Sequence, residues 1–266
     1  MLNKLLKYEI KATGRIFLPF FLSLLVFAGI NKFISSFGFQ KWDTPAIISM
    51  VIYIMIMVGM FVMTFIVMIQ RFYRNLLSDE GYLMFTLPTR PWKHIASKLL
   101  VSMMWMVTSV IVAMISILII AFDKRAITEI TKGFATFSNQ LFEQLGASVY
   151  LLALEIIVGI LISLASGILI VYASIAIGHL FSQHKTLASF GTFIILNTFT
   201  QILFMLISLT PGIAYLSNIH ISSNDFVAVQ SVIQLVIVYG ISFTGLLSVA
   251  YFAVTNIILS KRLNLE

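Results

Sequence analysis

The sequence predicts an all-α integral membrane protein with six transmembrane helices. Apolar residues make up 60% of the 266 residues, charged residues make up only 10%, and the mean hydropathy is +1.03. Soluble domains carry about 25% charged residues. A water-soluble fold of this composition would leave too much apolar surface uncovered. The composition therefore excludes a soluble enzyme and a disordered chain.

Six apolar stretches are long enough to cross a bilayer, which takes about 20 residues per helix. They are too long for buried strands and lack the alternating pattern of a membrane β-barrel. We therefore assign residues 1–266 to a single transmembrane domain. Its spans are predicted at 16–33, 46–69, 99–122, 149–180, 187–209 and 227–259. Pro19 is expected in the first turn of the first span, where proline is tolerated.

The lysines and arginines predict the orientation of the chain. Of 17, twelve lie at the two termini and in the connections after the second and fourth spans, and five lie in the other connections. Cytoplasmic loops are enriched in Lys and Arg. Both termini are therefore predicted to be cytoplasmic, and residues 123–148 and 210–226 to face outside. The net charge of +7 then indicates contact with anionic lipid headgroups, not with nucleic acid.

Residues 1–15 are predicted to form an amphipathic helix at the inner membrane surface. Four basic residues fall within an arc of about 80° at helical spacing, and leucines and isoleucines occupy the opposite side. The basic residues are Lys4, Lys7, Lys11 and Arg15. Glu9 lies within the apolar side and allows two interpretations. Its carboxylate either reaches water near Arg15, or this face packs on protein.

The cytoplasmic connection 71–98 is the most informative segment. An acidic pair is followed by apolar and aromatic residues, and prolines are expected to end any helix and to return Trp92 to the interface. Apolar side chains in such a segment must be covered by lipid, by the chain itself or by a partner. The candidate residues are Asp79, Glu80, Gly81, Tyr82, Leu83, Phe85, Leu87, Pro88 and Trp92. The alternative is an interfacial turn that lies on the bilayer.

The run SDEGYLMFTLPTRPWKHIASKLL, with a basic amphipathic helix and six spans, resembles the membrane subunits of ABC-2-type exporters. The resemblance implies that 71–98 contains a coupling helix that docks on a separate ATP-binding subunit. The chain also resembles Gram-positive exporters of amphipathic and antimicrobial peptides, such as phenol-soluble modulins. This likeness implies a bacterial plasma membrane and an amphipathic or hydrophobic substrate. It also implies a second permease copy, identical or not, in the same bilayer.

The sequence lacks a GxxxxGK[ST] phosphate loop, a HExxH zinc motif and a Gly-x-Ser-x-Gly nucleophile motif, and it has no cysteine. We therefore expect no catalytic, cofactor-binding or metal site in this chain, and no enzyme activity by itself. ATP and Mg would bind to the partner subunit. The alternative function is a membrane transporter or scaffold protein that is not coupled to an ATPase, and an intramembrane enzyme is the weakest candidate.

Candidate residues for a substrate path lie in the second and fifth spans. Met57 and Met60 belong to a methionine stripe, which suits apolar cargo of varied shape but also suits core packing. Asn197 and Gln201 belong to a polar cluster in the fifth span. These side chains either bond neighbouring helices or line a translocation cavity.

Glu155 is the only acidic residue well inside a predicted span. Ionisable residues within membranes are costly and are often functional. A structural partner such as Lys124, Arg125 or Lys132 is one interpretation. The other is that the carboxylate faces the cargo.

Overall fold

The structure, a computed structural model, describes residues 2–36, 44–77, 90–121, 124–181, 183–208 and 226–261. In this part of the chain seven helices follow one another, and six are long and apolar enough to cross a membrane. The helices are α1 (Leu2–Ser36), α2 (Thr44–Leu76), α3 (Pro91–Ile120), α4 (Lys124–Leu145), α5 (Ser148–Gly178), α6 (Lys185–Ser208) and α7 (Phe226–Lys261). The prediction of an all-helical chain with six candidate spans is confirmed.

Helix α1 is continuous, whereas the sequence predicted an interfacial helix followed by a separate span. Its 35 residues extend for about 52 Å, well beyond the roughly 30 Å of a hydrocarbon core. Pro19 therefore lies in the helix interior and not in a first turn. Proline is tolerated inside membrane helices because neighbouring groups satisfy the freed backbone carbonyl.

Helices α2 and α3 extend into the segment that was predicted as connection 71–98. Residues 71–76 complete α2, and α3 begins at Pro91 with Arg90 as its N-cap. Proline suits this first helical position because its missing N–H would have no partner there. Pro91 thus begins a helix, and residues 71–76 and 91–98 of the predicted connection are helical.

Helix α4 occupies a segment that was expected to be an outer connection between spans. Five apolar side chains fall within an arc of about 80°, and polar residues such as Lys132, Asn139 and Glu143 occupy the opposite side. The apolar residues are Ile127, Ile130, Phe134, Phe137 and Leu141. Phe134 is 72% exposed. This pattern is typical of a helix that lies in the membrane interface.

Contacts divide the chain into two units, of which the first comprises Met1–Phe72 and Pro88–Thr136. Within it α1 packs along α3, around a core that includes Phe17, Leu24 and Met60. Hydrogen bonds tie α2 to its neighbours. They join Asn31 to Ser49 (2.6 Å), Tyr53 to Ser116 (2.8 Å) and Thr64 to Ser109 (3.1 Å).

The second unit comprises Tyr73–Leu87 and Phe137–Glu266. Here α5 packs against both α6 and α7. A Cβ atom at Gly178 would collide with Ser189 of α6, so this crossing requires glycine. The hydroxyl groups of Thr200 and Tyr251 are hydrogen-bonded between α6 and α7.

Large apolar side chains cover the outward faces of the candidate spans. Leu22, Met55, Ile195 and Leu246 are each more than 60% exposed. Exposure of so much apolar surface to water would be unfavourable. Helices that are apolar on their outer face as well as at their packed face are suited to lipid.

Candidate functional site

An ion cluster joins α1 to α2 and α3. It lies near the end of α2 and the beginning of α3. Lys98 donates a hydrogen bond from Nζ to Glu9 Oε1 over 2.7 Å, and Arg71 Nη1 lies 3.9 Å from Glu9 Oε2. Glu9 is 9% exposed and Lys98 is 3% exposed. We call these three residues the Glu9 cluster. An ion pair removed from water in this way interacts more strongly than a surface pair, although its desolvation is costly.

Thr13 and Phe17 of α1 contact Trp105 of α3 next to the Glu9 cluster, beginning one helical turn further along α1. Thr13 Oγ1 donates to the Glu9 backbone carbonyl (2.7 Å) and accepts from Trp105 Nε1 (2.7 Å). The Trp105 ring stacks on Phe17 with centroids 4.6 Å apart. Gly14 lies beside the same ring, and a Cβ atom there would be 3.6 Å from Trp105 Cζ2, an ordinary van der Waals distance. The first half of α1 is therefore fixed to α3 by polar and aromatic contacts.

These contacts decide between the two interpretations of Glu9. The face of α1 that carries Glu9 and Thr13 packs on protein. The basic residues of the predicted amphipathic segment lie on the exposed side of the same helix. They are Lys4, Lys7, Lys11 and Arg15.

A small cavity lies among the charged and aromatic residues. The cavity has a volume of about 20 Å³, which is room for one water molecule. Glu9, Arg71, Lys98 and Trp105 are among its lining residues. The cavity is too small for a substrate, so this site is suited to holding helices together and not to binding cargo.

The Glu9 cluster flanks the predicted coupling residues on both sides. Arg71 precedes the end of α2 by five residues, and Lys98 is the eighth residue of α3. The residues from Asp79 to Pro88 lie outside the described part of the chain. Trp92 is in the first turn of α3 and is 40% exposed, with Lys93 Nζ 5.7 Å from its ring centroid.

No family model, curated protein or solved structure matches this chain.

The candidate substrate-path residues do not form a single site within either unit. Met60 is fully buried in the core of the first unit, and Met57 is partly buried against that core. This position favours packing, and their role in a cargo path stays a prediction. Asn197 and Gln201 are exposed on α6. Glu155 lies on α5, where it contacts α7 through Gln234.

The described residues contain no group of three His, Cys, Asp or Glu side chains that could hold a metal ion. Within those same ranges, His94 is buried one turn before Lys98 on α3. Its surroundings are the ion cluster and not a ligand set. The chemistry of this region is thus electrostatic docking between helices.

Sequence reasoning did not find the partners of Glu9. Arg71 and Lys98 lie at the two ends of the predicted connection 71–98, and no pattern in the sequence relates them, Thr13 or Trp105 to Glu9. One signal was present, because an acidic residue on an apolar helix face requires a partner. The sequence offered several cations, and only the packing of α1 against α3 selects Lys98.

Proposed function

We propose that this chain is the transmembrane subunit of an ATP-driven exporter and is energised by a separate ATP-binding subunit. The observation that carries the proposal is the position of the Glu9 cluster. It links α1 to the helix ends on both sides of residues 78–89, the segment that resembles a coupling helix. A displacement of that segment would reach α1 and α3 through the buried Glu9–Lys98 pair, and α2 through the more exposed Arg71.

The composition of the segment supports docking on a protein. Apolar surface for affinity comes from Tyr82, Leu83 and Phe85. The acidic pair Asp79–Glu80 and the basic residues that follow would fix the position of the segment on its partner. Interfaces commonly combine a buried aromatic anchor with a charged rim in this manner. The alternative, a transporter or scaffold without an ATPase, leaves these aromatic residues to lie on lipid.

The proposed complex contains two permease chains, either identical or related, and two ATP-binding subunits with ATP and Mg. Its substrate is an amphipathic or hydrophobic compound, such as a peptide, moved out of the cell across a bacterial plasma membrane. The exposed basic side of α1 rests on anionic lipid in this arrangement. The distribution of Lys and Arg supports cytoplasmic termini.

The test is co-purification of this protein with an ATPase encoded beside it, together with ATP-dependent export. Replacing Tyr82 and Phe85 with alanine is expected to abolish both, because loss of one buried aromatic anchor costs about 2 kcal/mol, or roughly thirtyfold in affinity. Lys93→Ala is the control, and it should weaken docking only slightly and mainly at low salt. Full ATPase retention and export by the double variant would remove the role of this segment.

Helix α4 provides a test of the orientation. The chain has no native cysteine, so single cysteines can be introduced at Asn139 on the polar side and at Phe134 on the apolar side. An impermeant maleimide should label Asn139→Cys in intact cells, and Phe134→Cys several-fold more slowly because lipid headgroups shield it. Labelling of Asn139→Cys only after the cells are opened would reverse the proposed topology.

A further inference from the structure

Glu155 is an acidic side chain placed within a candidate span. It is the eighth residue of α5, about 10 Å along the helix from its first residue. The residue is only 9% exposed and lies inside the apolar helix Ser148–Gly178. A polar side chain in such surroundings is costly to bury without hydrogen-bond or charge partners.

The contacts of Glu155 satisfy only part of its carboxylate. Gln234 Nε2 of α7 donates to Oε1 over a long 3.4 Å. The second oxygen, Oε2, is buried and has no hydrogen-bond partner among the residues that the structure describes. No described Lys, Arg or His of the second unit forms an ion pair with it. Two predicted partners of Glu155 are Lys124 and Arg125, and their side chains are not among those that the structure describes.

A groove on α7 begins at the residue that contacts Glu155. Gln234 is part of its lining, and the groove has a volume of about 450 Å³. The other lining residues combine hydroxyl groups with apolar side chains, namely Ser231, Leu235, Val238, Tyr239 and Ser242. Such a surface can take a molecule that has both a polar and an apolar side.

We propose that Glu155 and Gln234 form the binding site for a primary ammonium group of an amphipathic substrate. Because Oε2 is buried and Glu155 does not line the groove, the proposal requires the Glu155 side chain to turn past Gln234 toward the groove. There the ammonium donates a charge-assisted hydrogen bond to Oε2, and Gln234 orients the carboxylate through Oε1. The apolar side of the same substrate lies along Leu235 and Val238 of the groove. This inference rests on the proposed transport function for its substrate class, and it specifies the charge that the substrate carries.

Binding to the purified permease alone tests the site. The protein is placed in nanodiscs of phosphatidylcholine, which carries no net charge, so that adsorption to anionic lipid does not contribute. The probes are a fluorescent amphipathic Leu/Lys peptide and the same peptide with every lysine acetylated, and affinities are measured by fluorescence anisotropy. We expect the wild-type protein to bind the lysine peptide about tenfold more tightly than the acetylated one.

Three variants make the result specific. Glu155→Gln removes the charge and should lower the preference for the lysine peptide from tenfold to less than twofold. Glu155→Asp keeps the charge and should retain most of the preference, which covers the case in which the glutamine variant fails to fold. Glu143→Gln makes the same chemical change at an exposed position of α4 and should leave the preference unchanged.

Equal affinity of the wild-type protein for both peptides would overturn the inference. An unchanged preference in a folded Glu155→Gln variant would do the same and would limit Glu155 to a structural contact with Gln234. Because no ATPase takes part, these outcomes are distinct from failure of the proposed function. That failure would appear as a permease that binds the lysine peptide but captures no ATP-binding subunit.

Discussion

Replacing Lys98 with methionine is expected to lower the free energy of unfolding by about 3–5 kcal/mol. The substitution keeps the length of the side chain but leaves the Glu9 carboxylate buried without its 2.7 Å partner. Arg71, at 3.9 Å and more exposed, compensates only in part. The measurement is unfolding in detergent, followed by circular dichroism as the sodium dodecyl sulfate fraction is increased.

The control for this loss is Lys93→Met, one turn earlier on α3. Lys93 is only partly buried and is not part of the Glu9 cluster, so its replacement should change stability by less than about 0.5 kcal/mol. The double variant Glu9→Gln with Lys98→Met should recover most of the loss, since it removes both charges. Equal stability of the two lysine variants would show that the ion pair does not stabilise the fold.

The same substitution bears on the proposed coupling. With the Glu9 cluster broken, the first half of α1 loses its charged attachment to the helix ends beside residues 78–89. We expect the Lys98→Met protein, where it remains folded, to retain its ATPase but to export less per ATP hydrolysed. Retained coupling would limit the cluster to a role in stability.

Replacing Trp105 with alanine is expected to destabilise the protein by about 3–5 kcal/mol. The ring is 8% exposed, stacks on Phe17 and donates a hydrogen bond to Thr13. Its removal leaves a cavity between α1 and α3 and leaves Phe17 without its stacking partner. The measurement is thermal unfolding in detergent monitored by circular dichroism, because the substitution removes a fluorescent tryptophan.

Two further variants separate the contributions of Trp105. Trp105→Phe keeps an aromatic ring and loses the hydrogen bond, so it should cost about 1 kcal/mol plus any loss from the smaller ring. Trp92→Ala removes the same side chain at a 40% exposed position and should cost far less than Trp105→Ala. Similar losses at positions 92 and 105 would contradict the central place of Trp105 in this packing.

The positions of most helices could be predicted from the sequence because lipid allows few alternatives. A segment that crosses a bilayer must satisfy its backbone hydrogen bonds internally, so a long apolar run becomes a helix. The predicted spans 149–180, 187–209 and 227–259 differ by at most two residues at each end from α5, α6 and α7.

The limits of the helices are harder to predict where charged or weakly apolar residues interrupt the apolar runs. The sequence predicts a connection where α4 lies because polar residues lower the average hydropathy of this segment, although Ile130, Phe134 and Phe137 have helical spacing. Helix α1 was divided near residue 15 because the basic residues end there. Helix formation continues across that point although Pro19 cannot donate a backbone hydrogen bond to the Arg15 carbonyl, because the Thr13–Trp105 contact holds this part of α1 against α3.

The sequence by itself determined that the chain is apolar enough for a membrane and helical within it, because composition and periodicity act locally. It also placed Glu9 on an apolar face. Only the tertiary structure decided that Glu9 pairs with Lys98, 89 residues away, and that Glu155 meets Gln234, 79 residues away. Each pairing depends on which helices pack together and on their relative positions along the helix axes. Many charged and polar residues share the same local pattern, so no local signal can select among them.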